Sequence, residues 1–217
     1  MLDPAVVARN LARVREAVGP DVEILAATKY VDGADLEALR EGGVTLVGEN
    51  RTDALLEKQE RFGDAFTWDF IGHVQSRKVR DLIGRVRLIH ALDSMSACHQ
   101  IQSRAEAPAD CLLQVNVAGE DSKAGLGRGD VEPFLAEVEP LDHVVFHGLM
   151  TMPPFAEDPE STRPWFAALR DLRDELQPRW SGRHEFRHLS MGTSQDYEVA
   201  AQEGATIVRV GSVLYSR

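Results

Sequence analysis

Lys29 is the residue whose type and position could do the most distinctive chemistry in this sequence. It closes the apolar run VEILAATK at 22–29. A lysine at the end of a buried strand can point into the mouth formed by neighbouring strand ends, where desolvation lowers its pKa and leaves more neutral amine. A neutral amine can attack a carbonyl carbon and form a Schiff base. A solvated lysine at a strand end is the alternative that the sequence alone leaves open.

Two loops near the C-terminus form a second candidate site. The segment 190–194 (SMGTS) closes one apolar run, and its hydroxyl and backbone N–H groups could form an anion nest. Gly211 and Ser212 follow the next run and could begin a helix whose N-terminus favours a phosphate. Arg209, two residues earlier, could pair with the same ligand or with an ordinary acidic partner. Gly and Ser are also common in plain turns, so the phosphate site is a hypothesis at this point.

Other catalytic signatures are missing from the sequence. It contains no phosphate loop of the Walker type, no G-x-G-x-x-G fingerprint and no G-x-S-x-G elbow. Cys98 and Cys111 do not have the spacing of a metal site. We therefore expect no metal centre.

Eight apolar runs alternate with helical or turn segments along the chain. Most are apolar on consecutive residues, which is typical of strands buried on both faces. They cover residues 22–29, 44–50, 66–72, 86–92, 110–117, 143–150, 186–192 and 205–211. The alternation predicts an α/β fold with a parallel sheet, and eight units fit a closed (β/α)₈ barrel of the triosephosphate isomerase type. An open doubly wound sheet is the alternative with the same alternation.

Apolar residues at helical spacing predict the helices between these strands. The spacing occurs at about 5–18, 79–86, 131–138 and 165–176. Asp32 and Ser94 are candidate N-caps, and the glycines at 42, 43 and 63 are candidate helix ends. Only SVLYSR follows the eighth run, so we expect the N-terminal helix to cover the gap there. No linker divides the sequence, and we predict one domain over residues 1–217.

Composition and charge favour a soluble cytoplasmic protein. The 217 residues are 43% hydrophobic and 27% charged, as in ordinary globular proteins, and the net charge is −11. A nucleic-acid binder would be expected to carry a basic surface instead. The N-terminus does not resemble a secretory signal, and no apolar run is long enough to span a membrane. Two cysteines are too few for a disulfide scaffold, which favours a reducing compartment.

Taken in order, these segments resemble the pyridoxal phosphate homeostasis family, the pyridoxal-phosphate-binding proteins of the YggS/PROSC type. The resemblance runs from about residue 22 to the C-terminus and rests on many ordered segments. They are AATK (26–29), GEN (48–50), FIGHVQSRK (70–78), HALDS (90–94), QVNVAGEDSKAG (114–125), HGLMTM (147–152), LSMGTSQDYEVAAQEG (189–204) and VRVGS (208–212).

The resemblance implies a fold and a set of cofactor contacts. The fold is the fold-type III barrel of alanine racemase, here without that enzyme's C-terminal β-domain. Pyridoxal 5'-phosphate would be held as an aldimine on Lys29, with Arg209 facing its pyridine nitrogen and Asn50 lining the pocket. An arginine there would disfavour protonation of that nitrogen and weaken the ring as an electron sink. The phosphate would be held by Ser190, Met191, Gly192, Thr193, Gly211 and Ser212.

The function that follows is intracellular homeostasis of pyridoxal phosphate by a protein that carries the cofactor without a committed reaction. We expect a monomer that hands the cofactor transiently to pyridoxal-phosphate-dependent apoenzymes. A racemase or decarboxylase is the main alternative, but racemisation needs an acid or base on each face of the substrate carbon. None of Tyr30, Tyr197 and Tyr215 has an evident place on the second face. A Schiff-base aldolase is a further alternative, although aldolase lysines generally come from a later strand.

Three positions depart from the family's usual pattern. Tyr30 follows the lysine where a small hydroxyl residue is more usual, and Arg77 replaces an asparagine. The chain ends in LYSR, where members commonly have Phe-Gly. These departures bear on partner contacts and loop packing more than on cofactor binding.

Overall fold

A computed structural model describes residues 2–120 and 124–216 of the chain. In this part of the chain eight parallel strands close a barrel in sequence order. Because β1 pairs with both β2 and β8, the barrel is confirmed and the open doubly wound sheet is wrong. The strands are β1 (Glu23–Ala27), β2 (Leu46–Glu49), β3 (Thr67–Phe70), β4 (Leu88–Leu92), β5 (Ala109–Gln114), β6 (Val144–Met150), β7 (His188–Thr193) and β8 (Ile207–Val210).

The helices surround the barrel and begin and end at the expected signals. Asp32 caps α2 by accepting hydrogen bonds from the backbone N–H groups of Ala34 and Asp35, both at 2.9 Å, and Gly63 ends α3 at φ +42°. Ser94 occupies the N-cap position of α4 but makes no capping hydrogen bond. The helices are α1 (Pro4–Val18), α2 (Gly33–Glu41), α3 (Thr52–Phe62), α4 (Met95–Arg104), α5 (Val131–Val138), α6 (Arg163–Trp180), α7 (Tyr197–Gln202) and α8 (Ser212–Tyr215).

The helix predicted at 79–86 is wrong. The chain instead forms a 3₁₀ helix over Ser76–Asp81, followed by turns. Gly84 has φ +69°, a conformation that no right-handed helix contains. The apolar residues of this segment still face inward, and Val79 and Leu82 are fully buried. The spacing therefore identified the buried face but not the type of helix.

Helix α1 covers the gap left after β8, as expected. It contacts α2, α7 and α8, and Val7 and Val14 on its inner face are fully buried. The Asn10 amide of α1 donates to the backbone carbonyls of Leu214 at 3.2 Å and Ser216 at 2.7 Å. Since these carbonyls belong to the end of α8, the two ends of the chain are fastened together beside β1.

The described strands contain three register shifts, and those in β4 and β7 decide which side chains enter the barrel near the site. Between β4 and β5, three steps along β4 match two along β5, so the register shifts between Ile89 and Leu92. The same shift occurs in β7, between Ser190 and Thr193. An extra residue of this kind is a β-bulge, which re-aims side chains and is common near functional sites. The apolar residues of the barrel interior are Leu25, Ala27, Leu46, Ile71, Leu88, Ala91, Leu112, Met150 and Ile207.

None of the helices in the described part of the chain is both long enough and apolar enough to cross a membrane.

Candidate functional site

Arg209 is a buried cation inside the barrel. It lies on β8, between the outward-facing Val208 and Val210, and only 4% of its surface is exposed. Its Nη1 donates to Ser190 Oγ at 2.5 Å and its Nη2 to the Thr151 carbonyl at 2.8 Å. Burial lowers the pKa of Arg209 to about 10, and the charge of Asp196 opposes this shift. The guanidinium group therefore stays charged at neutral pH.

Ser190 connects Arg209 to two further buried groups that the sequence analysis did not select. Ser190 Oγ lies 2.9 Å from His90 Nδ1 on β4. His90 Nε2 lies 3.0 Å from Asp69 Oδ2 on β3. Asp69 also receives two hydrogen bonds from Arg87, at 2.9 and 2.7 Å. A polar residue in the middle of a buried strand needs a polar partner, so Asp69 and His90 were detectable as polar residues within apolar runs.

The bulge in β7 determines how the predicted residues 190–193 are used. The Ser190 side chain faces the barrel interior, whereas Met191 is fully buried among the side chains between barrel and helices. Gly192 has φ +88°, and a Cβ there would lie 2.5 Å from the Ala200 Cβ and 3.1 Å from the Tyr197 Cα. Glycine is therefore required at 192 both for its backbone conformation and for close packing against α7.

Thr193 is paired within its own loop. Its backbone N–H and its hydroxyl both donate to Asp196 Oδ1, at 2.7 and 3.1 Å. In this conformation both groups are bonded within the loop after β7. Thr193 was expected to contribute its hydroxyl to an anion nest, and the structure shows that hydroxyl bonded to Asp196 instead.

Ser194 joins the loop after β7 to the end of β8. Its Oγ accepts the backbone N–H of Gly211 at 2.8 Å and that of Val213 at 3.3 Å. These two residues lie around the start of α8, and the Ser212 side chain between them is exposed. The two loops predicted to form a phosphate site therefore meet, and two backbone donors converge on one oxygen. Ser194 is the residue through which they meet.

Lys29 lies in the turn after β1, on the same side of the alternating chain as the inward-facing Leu25 and Ala27. Its side chain is exposed, and its Nζ lies 4.5 Å from the centre of the Tyr30 ring, itself 88% exposed. Lys29 also lines a cavity of about 650 Å³ beside α2 and α3. In this conformation Lys29 is therefore a solvated lysine at a strand end, the alternative that the sequence left open, and its amine makes a cation–π contact with Tyr30.

The backbone below Lys29 is fixed by a buried ion pair. Glu49 at the end of β2 pairs with Lys58 of α3. The Lys58 amine also donates to the Thr28 carbonyl at 2.8 Å, and Thr28 Oγ1 donates to Glu49 at 2.8 Å. These contacts hold Thr28, so the position of the Lys29 backbone is fixed while its side chain is not.

Asn50 occupies the next strand end. Its backbone N–H donates to Glu49 Oε2 at 3.0 Å, and it lines a cavity of about 200 Å³ between the β2 and β3 loops. Gly72 packs directly on its backbone, since a Cβ on Gly72 would lie 2.1 Å from the Asn50 carbonyl oxygen. By alternation with Gly48, Asn50 lies on the inward-facing side of the chain.

The C-terminal end of the barrel thus combines an exposed amine with a buried guanidinium group and a pair of converging backbone donors. This set can attack a carbonyl and bind an anionic ring compound. A cavity of about 670 Å³ around Arg87 lies at the opposite end of the barrel and is not part of this arrangement. Within residues 2–120 and 124–216, no three His, Cys, Asp or Glu residues are grouped as a metal site would require.

The chain is similar to curated proteins called pyridoxal phosphate homeostasis protein. The protein of that name from Aquifex aeolicus is 42% identical over 197 residues, covering 89% of this chain and 86% of that protein. The one from Pseudomonas aeruginosa is 33% identical and covers 96% of this chain and 93% of that protein. The family model for the alanine racemase N-terminal domain matches residues 2–217.

Solved structures give the same result at the level of the backbone. PipY of Synechococcus elongatus with pyridoxal phosphate bound superposes with a TM-score of 0.87 at 29% identity, covering 97% of this chain and 100% of PipY. Alanine racemase from Corynebacterium glutamicum gives a TM-score of 0.78 at 14% identity and is covered over 61% of its length. The racemase comparison shows a shared fold and no more.

Proposed function

Because the chain belongs to the pyridoxal phosphate homeostasis protein family, whose barrel is that of the alanine racemase N-terminal domain, we propose that it binds pyridoxal 5'-phosphate and takes part in the homeostasis of this cofactor. The observation that carries the proposal is the buried Arg209, which the barrel holds beside strand ends that also bear Lys29 and the paired backbone donors. A buried cation of this kind is suited to a ligand with acceptor atoms.

Lys29 is the proposed covalent anchor. When bound, pyridoxal phosphate supplies an aldehyde that a primary amine can attack, together with an anionic phosphate. The sequence contains four lysines. The Lys58 amine is already bonded to Glu49 and to the Thr28 carbonyl. Lys78 lies 3.8 Å from Asp81 on the 3₁₀ helix after β3. Lys123 is outside the described residues. Lys29 is exposed at the end of β1, so its amine is accessible to a ligand.

The phosphate is proposed to bind where the β7 and β8 loops meet. The Gly211 and Val213 N–H groups already share one oxygen acceptor, Ser194 Oγ. A phosphate oxygen is a stronger acceptor of the same kind, and charge-assisted hydrogen bonds are stronger than neutral ones. Gly211 places no side chain beside these donors, so a phosphate oxygen can approach its backbone N–H closely, and the donor set fits the proposed group.

We propose that the protein is a carrier and not a racemase. Arg209 would face the ring nitrogen, where a second positive charge is costly, and so would weaken the electron sink on which carbanion chemistry depends. The three tyrosines do not supply a second acid or base in the described structure. The Tyr215 hydroxyl donates to the Ala27 carbonyl at 2.7 Å, Tyr197 is buried on α7, and Tyr30 points to solvent.

The remaining parts of the proposal concern where and with what the protein acts. We propose a cytoplasmic monomer that passes its cofactor to pyridoxal-phosphate-dependent apoenzymes. An exposed anchor lysine is consistent with reversible loading, because exchange requires access of another amine to the bound aldehyde carbon.

The test combines binding with the absence of turnover. Purified protein incubated with pyridoxal phosphate should develop an absorbance band that borohydride reduces and fixes to the protein. The loaded protein should exchange the α-proton of L- and D-alanine in deuterated water no faster than free pyridoxal phosphate does. Failure to bind would contradict the proposed function. Exchange far above the free cofactor, lost in Lys29→Ala, would show an enzyme instead of a carrier.

A further inference from the structure

A continuous chain of hydrogen bonds, buried from Asp69 onward, crosses the barrel from its N-terminal end to Arg209. It begins with Arg87, which precedes β4 and also donates to Glu23 at 2.6 Å. It continues through Asp69, His90 and Ser190. The side chains of Asp69 and His90 are fully buried, and Ser190 is 0% exposed. An incompletely bonded chain of this kind would be costly inside the barrel, so the direction of each bond is constrained.

The donor and acceptor roles in this hydrogen-bond chain are set at Asp69. Burial raises the pKa of Asp69, but hydrogen bonds from His90 and Arg87 outweigh this, and the pKa lies below its usual value. Asp69 is therefore a carboxylate that only accepts. Burial lowers the pKa of His90 despite the favourable Asp69 contact, which keeps the imidazole neutral. With Asp69 accepting at Nε2, the single proton of the neutral ring lies on Nε2, and Nδ1 is left as an acceptor.

The tautomer of His90 then fixes the role of Ser190. Nδ1 can only accept, so the one hydroxyl proton of Ser190 is donated to His90. The lone pairs of Ser190 Oγ are left for Arg209, whose Nη1 donates at 2.5 Å. The Ser190 hydroxyl consequently has no proton to give to a phosphate. Its function is to hold the guanidinium group, together with the Thr151 carbonyl on the other side.

We propose that His90 is a positioning residue for the cofactor site: oriented by Asp69, it makes Ser190 an acceptor and thereby fixes the Arg209 guanidinium toward the bound ring. This inference rests on the proposed function and adds residues to its site. The bulge in β4 makes it possible, because it turns His90 and Ala91 into the barrel on consecutive positions. Asp69 and His90 lie on the opposite wall from β7 and β8, so the whole width of the barrel supports Arg209.

The first test uses the protein without cofactor. Spectra of protein carrying ¹⁵N-labelled histidine distinguish the two neutral tautomers of a buried imidazole. We expect His90 with its proton on Nε2 and a bare Nδ1. A proton on Nδ1 would overturn the inference whatever the cofactor does, because Ser190 would then receive a hydrogen bond from His90 instead of giving one.

The second test measures the affinity for pyridoxal phosphate and the absorbance spectrum of the bound cofactor. Asp69→Asn offers His90 an amide donor and so inverts the tautomer, while His90→Asn is too short to connect Asp69 with Ser190. Each should weaken binding by about tenfold and shift the absorbance band, as expected for residues of one network. The matched control is His184→Asn, since His184 is equally buried but accepts the Phe146 N–H outside the barrel. It should leave affinity and spectrum unchanged.

The third measurement separates positioning from general destabilisation. In an Arg209→Lys background, His90→Asn should change the affinity by no more than about twofold, because the group on which His90 acts is gone. Thermal unfolding of each variant shows that it is folded. Equal affinity and an unchanged spectrum in Asp69→Asn and His90→Asn would overturn this inference while leaving the proposed function intact. A parent protein that does not bind pyridoxal phosphate would overturn both.

Discussion

The two sides of the barrel mouth differ in how firmly their functional groups are held. On one side, the β7–β8 wall, formed by β7 and β8 with their loops, holds Arg209 and Ser190 in buried hydrogen bonds. On the other, the β1 turn, residues 28–31, fixes its backbone through Lys58 and Glu49 but leaves the Lys29 amine exposed beside Tyr30. Preorganised groups bind without an ordering cost of their own, whereas an exposed amine is accessible both for forming and for releasing a covalent link.

This difference is consistent with a protein that stores a cofactor reversibly. The β7–β8 wall would recognise the ring and phosphate in one fixed geometry. The β1 turn would supply the bond that can be made and broken. The two sides should therefore respond to substitution in different ways, one through affinity and stability and the other through covalent attachment alone.

The largest effect is expected from Lys29→Ala. This change should abolish borohydride-reducible attachment of pyridoxal phosphate completely, because the amine that forms the link is removed. The melting temperature should stay within error of the parent, since the side chain is exposed. The matched control is Lys78→Ala, a partly exposed lysine, which should keep full attachment. A Lys29→Ala protein that still becomes labelled would show that the β1 turn is not the covalent side.

Gly192→Ala should cause the next largest effect, and it acts on stability. The added Cβ meets Ala200 and forces a non-glycine residue to φ +88°. We expect a loss of about 2–4 kcal/mol in the free energy of unfolding, from backbone strain and overpacking together. Denaturant unfolding measures this. Gly129→Ala is the control, because nothing lies within 4 Å of its Cβ position. Equal stability of the two variants would contradict a rigid β7–β8 wall.

Ser190→Ala should weaken ligand binding by about 1–3 kcal/mol, the cost of leaving buried partners unpaired. Because Ser190 acts through Arg209, the loss should be equal for pyridoxal phosphate and for pyridoxal, which lacks the phosphate. Ser194→Ala is the comparison, since Ser194 contacts the proposed phosphate donors and should affect pyridoxal phosphate alone. The measurement is the dissociation constant of each ligand for both variants. If Ser190→Ala lowered the affinity for pyridoxal phosphate but not for pyridoxal, Ser190 would instead be a phosphate-binding residue.

The smallest effect is expected from Tyr30→Leu. Tyr30 is 88% exposed and contacts the Lys29 amine through its ring. Removing the ring should change the free energy of unfolding by less than about 0.5 kcal/mol. It should also raise the rate at which Lys29 becomes labelled, because the amine loses its resting contact outside the mouth. Stopped-flow absorbance measures the rate. A slower reaction would show that Tyr30 assists attachment.

The sequence predicted the barrel well because its signals are strong and local. Consecutive apolar residues such as those of β4 and β5 mark strands buried on both faces, and Asp32 and Gly63 mark helix ends by their own side-chain or backbone chemistry. The α-helix predicted at 79–86 was wrong because the apolar spacing is also compatible with a 3₁₀ helix and turns, and because Gly84 has a non-helical conformation.

The candidate site was less predictable because it depends on register and on partners far along the chain. The two-residue alternation of a strand predicts that Ser190 points inward. It does not predict the bulge that follows Ser190, or the pairing of Thr193 with Asp196. The hydrogen-bond chain from Asp69 to Arg209 joins side chains on four strands, and no local sequence pattern predicts that these side chains meet. The contact between the exposed Lys29 amine and the Tyr30 ring is likewise not revealed by the position of a strand end.

The central claim is that one lysine, Lys29, anchors pyridoxal phosphate opposite the preorganised Arg209. Borohydride reduction of the loaded protein, followed by proteolysis and mass spectrometry, locates the pyridoxyl group directly. We expect a single modified peptide carrying the group on Lys29, at a stoichiometry of one per chain. A pyridoxyl group on Lys58, Lys78 or Lys123 instead, or one spread over several lysines, would contradict it.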